Sequence, residues 1–176
     1  KPGEALRLGL DYSMQQAAHD AFLEKGRYGS AVAINIKTRE VMVMYSDPYY
    51  NPNDFVPRIP AEIWKDLIND PRHPLQNRTI QNKFSPGSTF KLIMTLAALQ
   101  EKKINPETTF HCGGSQFIYN RTFRCWKPGG HGAVNLRKAI VQSCDVYFYN
   151  VGMRMDIDTI AQYAKKFGIG SSTGID

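Results

Sequence analysis

Two side chains that could carry out nucleophilic chemistry lie one helical turn apart near the middle of the chain. Ser88 and Lys91 belong to the run FSPGSTFK at residues 84–91, and an apolar stretch follows. A Pro-Gly pair before a serine is typical of the turn that precedes a helix, so the pattern predicts a helix that opens at Ser88 and ends near residue 102. Residues i and i+3 share a helix face, which would bring Lys91 Nζ within hydrogen-bonding reach of Ser88 Oγ.

This pair could act in covalent catalysis. A desolvated, neutral Lys91 could accept the hydroxyl proton of Ser88, and backbone N–H groups at the helix N-terminus would lie near an oxyanion formed there. The helix is predicted to be anchored in a core by its apolar residues, which are Leu92, Ile93, Leu96, Ala97 and Leu99. The alternative is a helix-capping serine followed by a surface lysine, because Ser-x-x-Lys is common by chance.

A second polar pair follows 55 positions after Ser88, where Ser143 and Asp145 flank a cysteine and precede the run VYFY. A short amphipathic stretch comes before the pair. Ser143 could instead be a turn hydroxyl, and Asp145 could instead be a helix N-cap.

Residues 77–80 and 86–91 closely resemble the active-site motif of class B penicillin-binding proteins. Residues 143–145 are similar to the second motif of that family, Ser-x-Asn, in a Ser-x-Asp form. This variant, together with the Tyr-Phe-Tyr that follows it, resembles the elongation-specific branch, penicillin-binding protein 2. The opening segment at residues 8–18 is similar to the same branch. The resemblance covers nearly all 176 residues. Three matches in the family's order and spacing are far more specific than any one of them.

The resemblance implies a peptidoglycan D,D-transpeptidase of cell elongation that works through a serine ester. Ser88 would attack a stem peptide that ends in D-alanyl-D-alanine and expel the terminal D-alanine, with Lys91 as the proton acceptor. Ser143 would relay a proton to the leaving amine, and Asp145 would fix local hydrogen bonds or contact the peptide backbone. β-Lactam antibiotics, which mimic the substrate terminus, would acylate Ser88.

The implied fold is α/β (α+β): the antiparallel sheet flanked by helices that penicillin-binding proteins share with serine β-lactamases. Only two convincing strands are predicted, at residues 30–36 and 40–45, and the Lys-Thr-Gly of the family's third motif does not occur. We therefore expect residues 1–176 to be the first part of a transpeptidase domain, whose other strands lie outside this chain. The implied setting is the bacterial inner membrane, with the domain in the periplasm, the anchor absent from this chain and a cell-elongation glycosyltransferase as partner.

Caps and periodicity predict several other helices, the first of which would bury Met14, Ala18, Ala21 and Phe22. The predicted helices occupy residues 11–25, 61–68, 135–141 and 157–167, and a further helix starts near residue 145. Residues 106–132 show little regular periodicity and are predicted to be mostly irregular.

The three cysteines, Cys112, Cys125 and Cys144, cannot all pair, and in a periplasmic setting an odd number raises the possibility of a metal. With His131 they form a Cys3His set, which suits tetrahedral structural zinc. Some elongation-specific family members hold zinc here with Asp, Asp, His and Cys, and the Asp positions align with Cys112 and Cys125. His111 is the substitute ligand for Cys112. The alternative is a Cys112–Cys125 disulfide with Cys144 free and buried.

The charge and the apolar content of the chain bear on which other functions it could have. The net charge is +6, but the 22 Lys and Arg residues are scattered, so we expect a solvated basic surface and no nucleic-acid partner. No apolar run approaches the length of a membrane span, and we expect no signal peptide among these residues. A serine β-lactamase, a β-lactam sensor that is acylated once, and a non-enzymatic basic binding module stay open as alternatives. A β-lactamase needs a general base for deacylation, and no glutamate of this chain lies in a loop that resembles one.

Overall fold

The computed structural model describes residues 3–175 and divides into two compact units, the first up to Phe84 and the second from Ser85. Both units combine helices and strands. In chain order these are α1 (Tyr12–Lys25), β1 (Gly29–Ile34), β2 (Val41–Asp47), α2 (Ala61–Asn69), α3 (Phe90–Gln100), β3 (Phe110–Cys112), β4 (Ser115–Ile118), β5 (Arg121–Arg124), β6 (Gly132–Val134), α4 (Leu136–Val141), α5 (Asp145–Gly152) and α6 (Ile157–Lys166). Within the described residues, no helix combines the length and apolarity needed to cross a bilayer.

The first unit is built on the antiparallel pair β1–β2, which confirms the two predicted strands. Helix α1 lies along β2 and contacts its backbone. The Gln15 side-chain amide donates to the Met44 carbonyl at 2.9 Å and accepts from the Met44 N–H at 3.0 Å. The Asp11 N–H donates to the Met42 carbonyl at 2.9 Å. Polar groups at the N-terminal end of α1 therefore fix its position on the strand.

The predicted limits of α1 are confirmed, because Asp11 caps its first turn and Gly26 ends it with φ of 56°. The predicted buried face is partly wrong. Ala18 and Phe22 are half-buried, whereas Met14 and Ala21 are exposed. The reason is that the face of α1 toward β2 runs through Gln15, Ala18 and Phe22, whose ring centre lies 5.4 Å from that of Tyr45, and this face leaves Met14 and Ala21 outside the contact.

The second unit has a continuous core in which α5 is the most buried helix. Val146, Tyr147 and Val151 on α5 are fully buried, and α3 packs against them with Ala97 and Ala98. The helices predicted near residues 135, 145 and 157 are confirmed, the first with Asn135 as its cap. Most of the second unit's structure is therefore arranged around the helix that begins with Asp145.

Two apolar residues of α3 do not join this core, contrary to the sequence prediction. Leu92 is 55% exposed and Leu96 is 48% exposed, while Ile93, Met94 and Ala97 are buried. A helix that is apolar on most of its circumference does not reveal from sequence which face its neighbours will cover. The packing of α3 on both α5 and α6 decides this, and it buries the face that carries Ile93, Met94 and Ala97.

The prediction of an irregular segment at residues 106–132 is also wrong in part. Four short strands lie in or next to it, with β3 pairing with β6 and β4 pairing with β5, both antiparallel. Each strand has only three or four residues. Such lengths cover at most two alternations of side-chain direction, so periodicity alone does not reveal them.

Candidate active site

Ser88 lies in a short 3₁₀ turn, Gly87–Thr89, directly before α3. The α-helix that was predicted to open at Ser88 therefore begins two residues later, at Phe90. Gly87 has φ of 54°, a left-handed conformation that glycine adopts without steric cost. The Ser88 side chain is exposed at the beginning of a well-packed helix, as a nucleophile must be to meet a substrate.

The structure brings all four predicted catalytic side chains into one hydrogen-bonded chain. Ser143 Oγ donates to Ser88 Oγ at 2.8 Å. Lys91 Nζ donates to Ser143 Oγ at 3.0 Å and to Asp145 Oδ1 at 2.5 Å. A third bond from Lys91 Nζ reaches the carbonyl oxygen of Ser143 at 3.0 Å.

Lys91 does not contact Ser88 in the way the spacing predicted. Among the described residues, the hydrogen bonds of its side-chain amine go only to Ser143 and Asp145, so the Ser143 hydroxyl lies between the amine and the nucleophile. A carboxylate is a stronger acceptor for a cationic amine than a neutral hydroxyl is, which explains why the lysine turns toward α5.

The link between α4 and α5 orients this row of hydrogen-bonded side chains. Ser143 has φ of 49°, a conformation that costs a non-glycine residue roughly 1 kcal/mol. Asp145 is the first residue of α5, where the helix dipole favours a carboxylate. Its other oxygen, Oδ2, accepts the backbone N–H of Trp126 at 3.0 Å. Asp145 is thus held from two sides, by Lys91 and by the loop that contains Trp126.

The Lys91–Asp145 ion pair is largely removed from water, with side-chain exposures of 16% and 24%. Solvent screens such a pair less than it screens a surface pair, so its attraction is stronger. Lys91 Nζ also lies 5.7 Å from the centre of the Phe148 ring. A cavity of about 280 Å³ opens beside the pair and is lined by Ser88, Thr89, Lys91, Leu92, Ile140 and Ser143. It gives a small ligand access to the nucleophile.

A second cluster joins the three cysteines to His131. All four side chains are buried, and one ligand atom from each lies within 4.8 Å of the others. His131 Nδ1 is 3.6 Å from the sulfur of Cys112 and 3.6 Å from that of Cys125. The alternative ligand His111 is exposed and is not part of this group. No disulfide links the cysteines, each of which is a free thiol.

The surroundings give the cluster members different acidities. Burial lowers the pKa of His131, which favours the neutral imidazole. Burial alone would raise the pKa of the Cys125 thiol, but hydrogen bonds from backbone N–H groups lower it overall. The donors are Lys127, Asp145 and Val146. The pKa of Cys144 is raised to about 12, chiefly by burial.

Sequence reasoning did not identify Trp126 as part of the site. Its indole N–H donates to the Gln142 carbonyl at 2.9 Å, and its ring centre lies 5.4 Å from that of His131. Together with its backbone bond to Asp145, these contacts connect the cysteine cluster to the catalytic candidates. The available signal was a large aromatic residue between two candidate metal ligands in a segment with little apolar periodicity.

Comparison with known proteins identifies the family. The family model described as the penicillin binding protein transpeptidase domain matches residues 29–176. The chain is 38% identical to the peptidoglycan D,D-transpeptidase MrdA of Acinetobacter baumannii and 36% identical to that of Escherichia coli strain K12, over 99% of its own length in both cases. It covers only 26% and 28% of those two proteins.

Solved structures agree with this result. PBP2 from Helicobacter pylori matches with a TM-score of 0.87 and 34% identity, over 94% of this chain and 31% of that one. PBP2 from Pseudomonas aeruginosa, in complex with WCK 5153, matches equally well, over 97% of this chain and 37% of that one. The expected fold is thereby confirmed for the part that is present. The chain belongs to the penicillin-binding protein transpeptidase domain family.

Proposed function

We propose that the chain provides the nucleophile-bearing part of a peptidoglycan D,D-transpeptidase of cell elongation. The observation that supports this function best is the hydrogen-bonded chain Ser88–Ser143–Lys91, which joins a solvent-accessible hydroxyl to an amine through a second hydroxyl. Relatives named D,D-transpeptidase cover nearly the whole chain, although the chain spans little more than a quarter of their length.

Acylation would begin with attack of Ser88 Oγ on the carbonyl carbon between the last two residues of the stem peptide. The Ser88 proton would pass to Ser143 while the Ser143 proton passes to Lys91, which must first lose one of its own protons. Collapse of the tetrahedral intermediate would break the peptide bond, and Ser143 would return a proton to the departing D-alanine amine. An acceptor amine would then attack the ester, release Ser88 and form the cross-link.

Mass measurement after incubation with a β-lactam tests the nucleophile assignment. The protein should gain one ligand mass, and peptide mapping should place the adduct at Ser88. Ser88→Ala should abolish the gain, whereas Ser85→Ala, an exposed serine in the same loop, should react like the wild type. An adduct at Ser143, or none in folded protein, would contradict the proposal.

Turnover separates the transpeptidase from the alternatives of the same fold. A transpeptidase should release D-alanine from a donor peptide and transfer the acyl group to an added amine. A sensor would be acylated by the antibiotic without releasing D-alanine, and a β-lactamase would hydrolyse the antibiotic with many turnovers.

We propose in addition that Cys112, Cys125, His131 and Cys144 hold a structural zinc ion. With Zn–S bonds of about 2.3 Å and Zn–N bonds of about 2.05 Å, a tetrahedral site has sulfur–nitrogen edges of about 3.6 Å. The two edges from His131 Nδ1 to Cys112 and Cys125 are both 3.6 Å. The neutral imidazole and the N–H donors around Cys125 suit metal ligands, and Cys144 would lose its proton on binding.

Zinc at this position would be a cross-link rather than a catalyst, because four protein ligands leave no open position. It would tie β3 and the loop after β5 to Cys144, the residue between Ser143 and Asp145. Elemental analysis should find close to one zinc per chain. His131→Ala should lose the metal, while His111→Ala, an exposed neighbour of Cys112, should keep it. Metal-free wild-type protein with a Cys112–Cys125 disulfide would contradict this proposal.

The cellular setting is proposed by analogy with the relatives. A complex between PBP2 and MreC is known from Helicobacter pylori, and another similar structure belongs to a peptidoglycan synthase complex. We place this chain on the periplasmic side of the inner membrane, beside a cell-elongation glycosyltransferase. Protease added to spheroplasts should degrade the segment that contains Ser88, and protection of that segment would contradict the placement.

A further inference from the structure

The β4–β5 hairpin has one face that is anchored to the core of the second unit. Phe123 packs against Tyr149 of α5, with ring centres 5.6 Å apart, and Asn150 of α5 donates to Gln116 at 3.5 Å. Helix α5 also carries Asp145. The hairpin is therefore attached to the helix that positions the candidate catalytic carboxylate.

The side chains on the other face of the hairpin are largely exposed within the described chain. Phe117 pairs with Thr122, and Ser115 pairs with Arg124, so Phe117 and Arg124 are diagonal neighbours on one face. Phe117 is 66% exposed, and Arg124 is exposed as well. Phe117 adds a cross-strand contact with Thr122 but is not part of the core, and its large exposed apolar surface points to a contact outside the described residues.

The turn residue Tyr119 is the second unexplained aromatic group. It is 89% exposed and has φ of 47°, in a two-residue turn where Asn or Gly is strongly favoured at such angles. Asn120 follows with φ of 60° and fits this preference. The turn therefore carries a bulky, strained tyrosine that packs against no core residue, and a strained exposed residue is a reason to look for function.

The segment that carries these aromatic groups has an excess of positive charge. Residues 108–144 contain five Lys or Arg residues and no Asp or Glu. Within the described chain, neither Arg124 nor Lys127 takes part in a salt bridge. Trp126, between them, connects this surface to the candidate active site through its bonds to Asp145 and Gln142. An anionic partner that carries ring-shaped apolar groups would complement this combination.

We propose that the outer face of the β4–β5 hairpin, with Phe117, Tyr119 and Arg124 as its main contacts, binds polymeric peptidoglycan beside the candidate active site. Sugar rings present C–H groups that pack on aromatic faces, and the free carboxylates of stem peptides pair with arginine. The inference rests on the proposed function and extends it to the polymer that the enzyme would hold. An anionic membrane is less well matched, because Ser115 and Thr122 share the outer face and a membrane-binding element needs a continuous apolar side.

Co-sedimentation of the purified protein with isolated peptidoglycan sacculi tests this inference. Phe117→Ser, Tyr119→Asn and Arg124→Gln should each weaken binding, the last by about tenfold, the effect of losing one charge-assisted pair. Lys165→Gln removes an exposed charge on α6 and should bind like the wild type. On sacculi whose carboxylates have been amidated, Arg124→Gln and the wild type should bind with nearly the same affinity.

The reaction with a soluble β-lactam separates the two proposals, because a small ligand needs only the cavity at Ser88. Hairpin variants that lose sacculus binding and keep the wild-type rate of acylation would support the surface. The proposed binding surface would be overturned if all three variants bound sacculi like the wild type. It would also be overturned if the protein bound anionic phospholipid vesicles through the hairpin and did not bind sacculi. Equal losses of acylation and binding would show that the hairpin acts only by supporting the fold. If the wild type were not acylated at all, the proposed function would be contradicted. The comparison of sacculus binding between the variants and the wild type would still decide whether the hairpin surface exists.

Discussion

At the residue scale, Ser143 is the connecting point of the site, because its hydroxyl contacts both the nucleophile and the amine. The sequence motifs identified Ser88, Lys91, Ser143 and Asp145 by residue type and spacing. They could not show that the lysine reaches the nucleophile through Ser143. That connection depends on the left-handed backbone of Ser143 and on where α5 begins, and neither is encoded in the spacing of Ser88 and Lys91.

Replacing Ser143 tests its two features separately. Ser143→Ala and Ser143→Gly both remove the hydroxyl, and each should slow β-lactam acylation by about 100-fold or more. Their stabilities should differ, because only glycine adopts φ near 49° without strain. The glycine variant should be more stable than the alanine variant by about 1 kcal/mol in urea unfolding. Equal stabilities would show that the backbone at residue 143 relaxes on substitution.

Substitution of Asp145 distinguishes its charge from its hydrogen bonds. Asp145→Asn keeps an acceptor for one of its two donors, whereas Asp145→Ala leaves the Trp126 N–H and the Lys91 ammonium without their carboxylate. We expect the alanine variant to lose about 3 kcal/mol of unfolding free energy and the asparagine variant to lose less. Both can be measured by urea unfolding with the acylation rate recorded in parallel. Equal losses in the two variants would mean that charge alone determines the contribution of Asp145.

At the scale of elements, the helices were predictable because their ends carry local signals. Asp11 and Asn135 each accept a backbone N–H in the first turn of a helix, as their positions in the sequence indicated. Asp156 caps α6 in the same way, although the sequence prediction did not name it. The strands β3 to β6 lacked such signals, since their pairing is set by turns and by contact with α5. The sequence of α3 is apolar on most of the helix circumference, so it could not show which side of the helix is exposed.

The Asp156 cap makes the stability of α6 depend on pH in a definite direction. Hydrogen bonds from the backbone and side chain of Thr159 lower the pKa of the Asp156 carboxyl. Its contribution is therefore fully present above the ordinary aspartate pKa of about 3.9 and is lost as the pH falls through the lowered value. Asp156→Asn should reduce the loss of α6 protection between about pH 4 and pH 2 in hydrogen exchange. An unchanged acid profile would contradict this assignment.

At the scale of the whole molecule, the chain covers only 26% to 31% of the relatives and solved structure that it was compared with first. The family resemblance was predictable from motifs in order, and the comparisons confirm it. The sequence also showed that Lys-Thr-Gly does not occur in these 176 residues. Trp126 and the hairpin surface were not predictable, because their roles depend on contacts between segments that are distant in sequence.

The chain by itself should react slowly with β-lactams. Further polypeptide with the third motif would supply groups that bind the ligand and stabilise the oxyanion, and loss of such a group typically costs 100-fold or more. We expect the 176-residue chain to be acylated by fluorescent penicillin about 100-fold more slowly than a protein that includes the rest of the domain. Equal rates would show that the residues described here are sufficient for acylation.

The contact between Gln15 and Met44 determines how the sheet of the first unit can grow. The Gln15 amide bonds both backbone groups of Met44, and the Asp11 N–H bonds the Met42 carbonyl, so the middle of this edge of β2 is already occupied. Within the described residues, the outer edge of β1 has no such backbone bonds. A further strand would therefore pair more readily beside β1 than beside β2. In this respect Gln15 acts as a stop that protects β2 from pairing with a foreign strand.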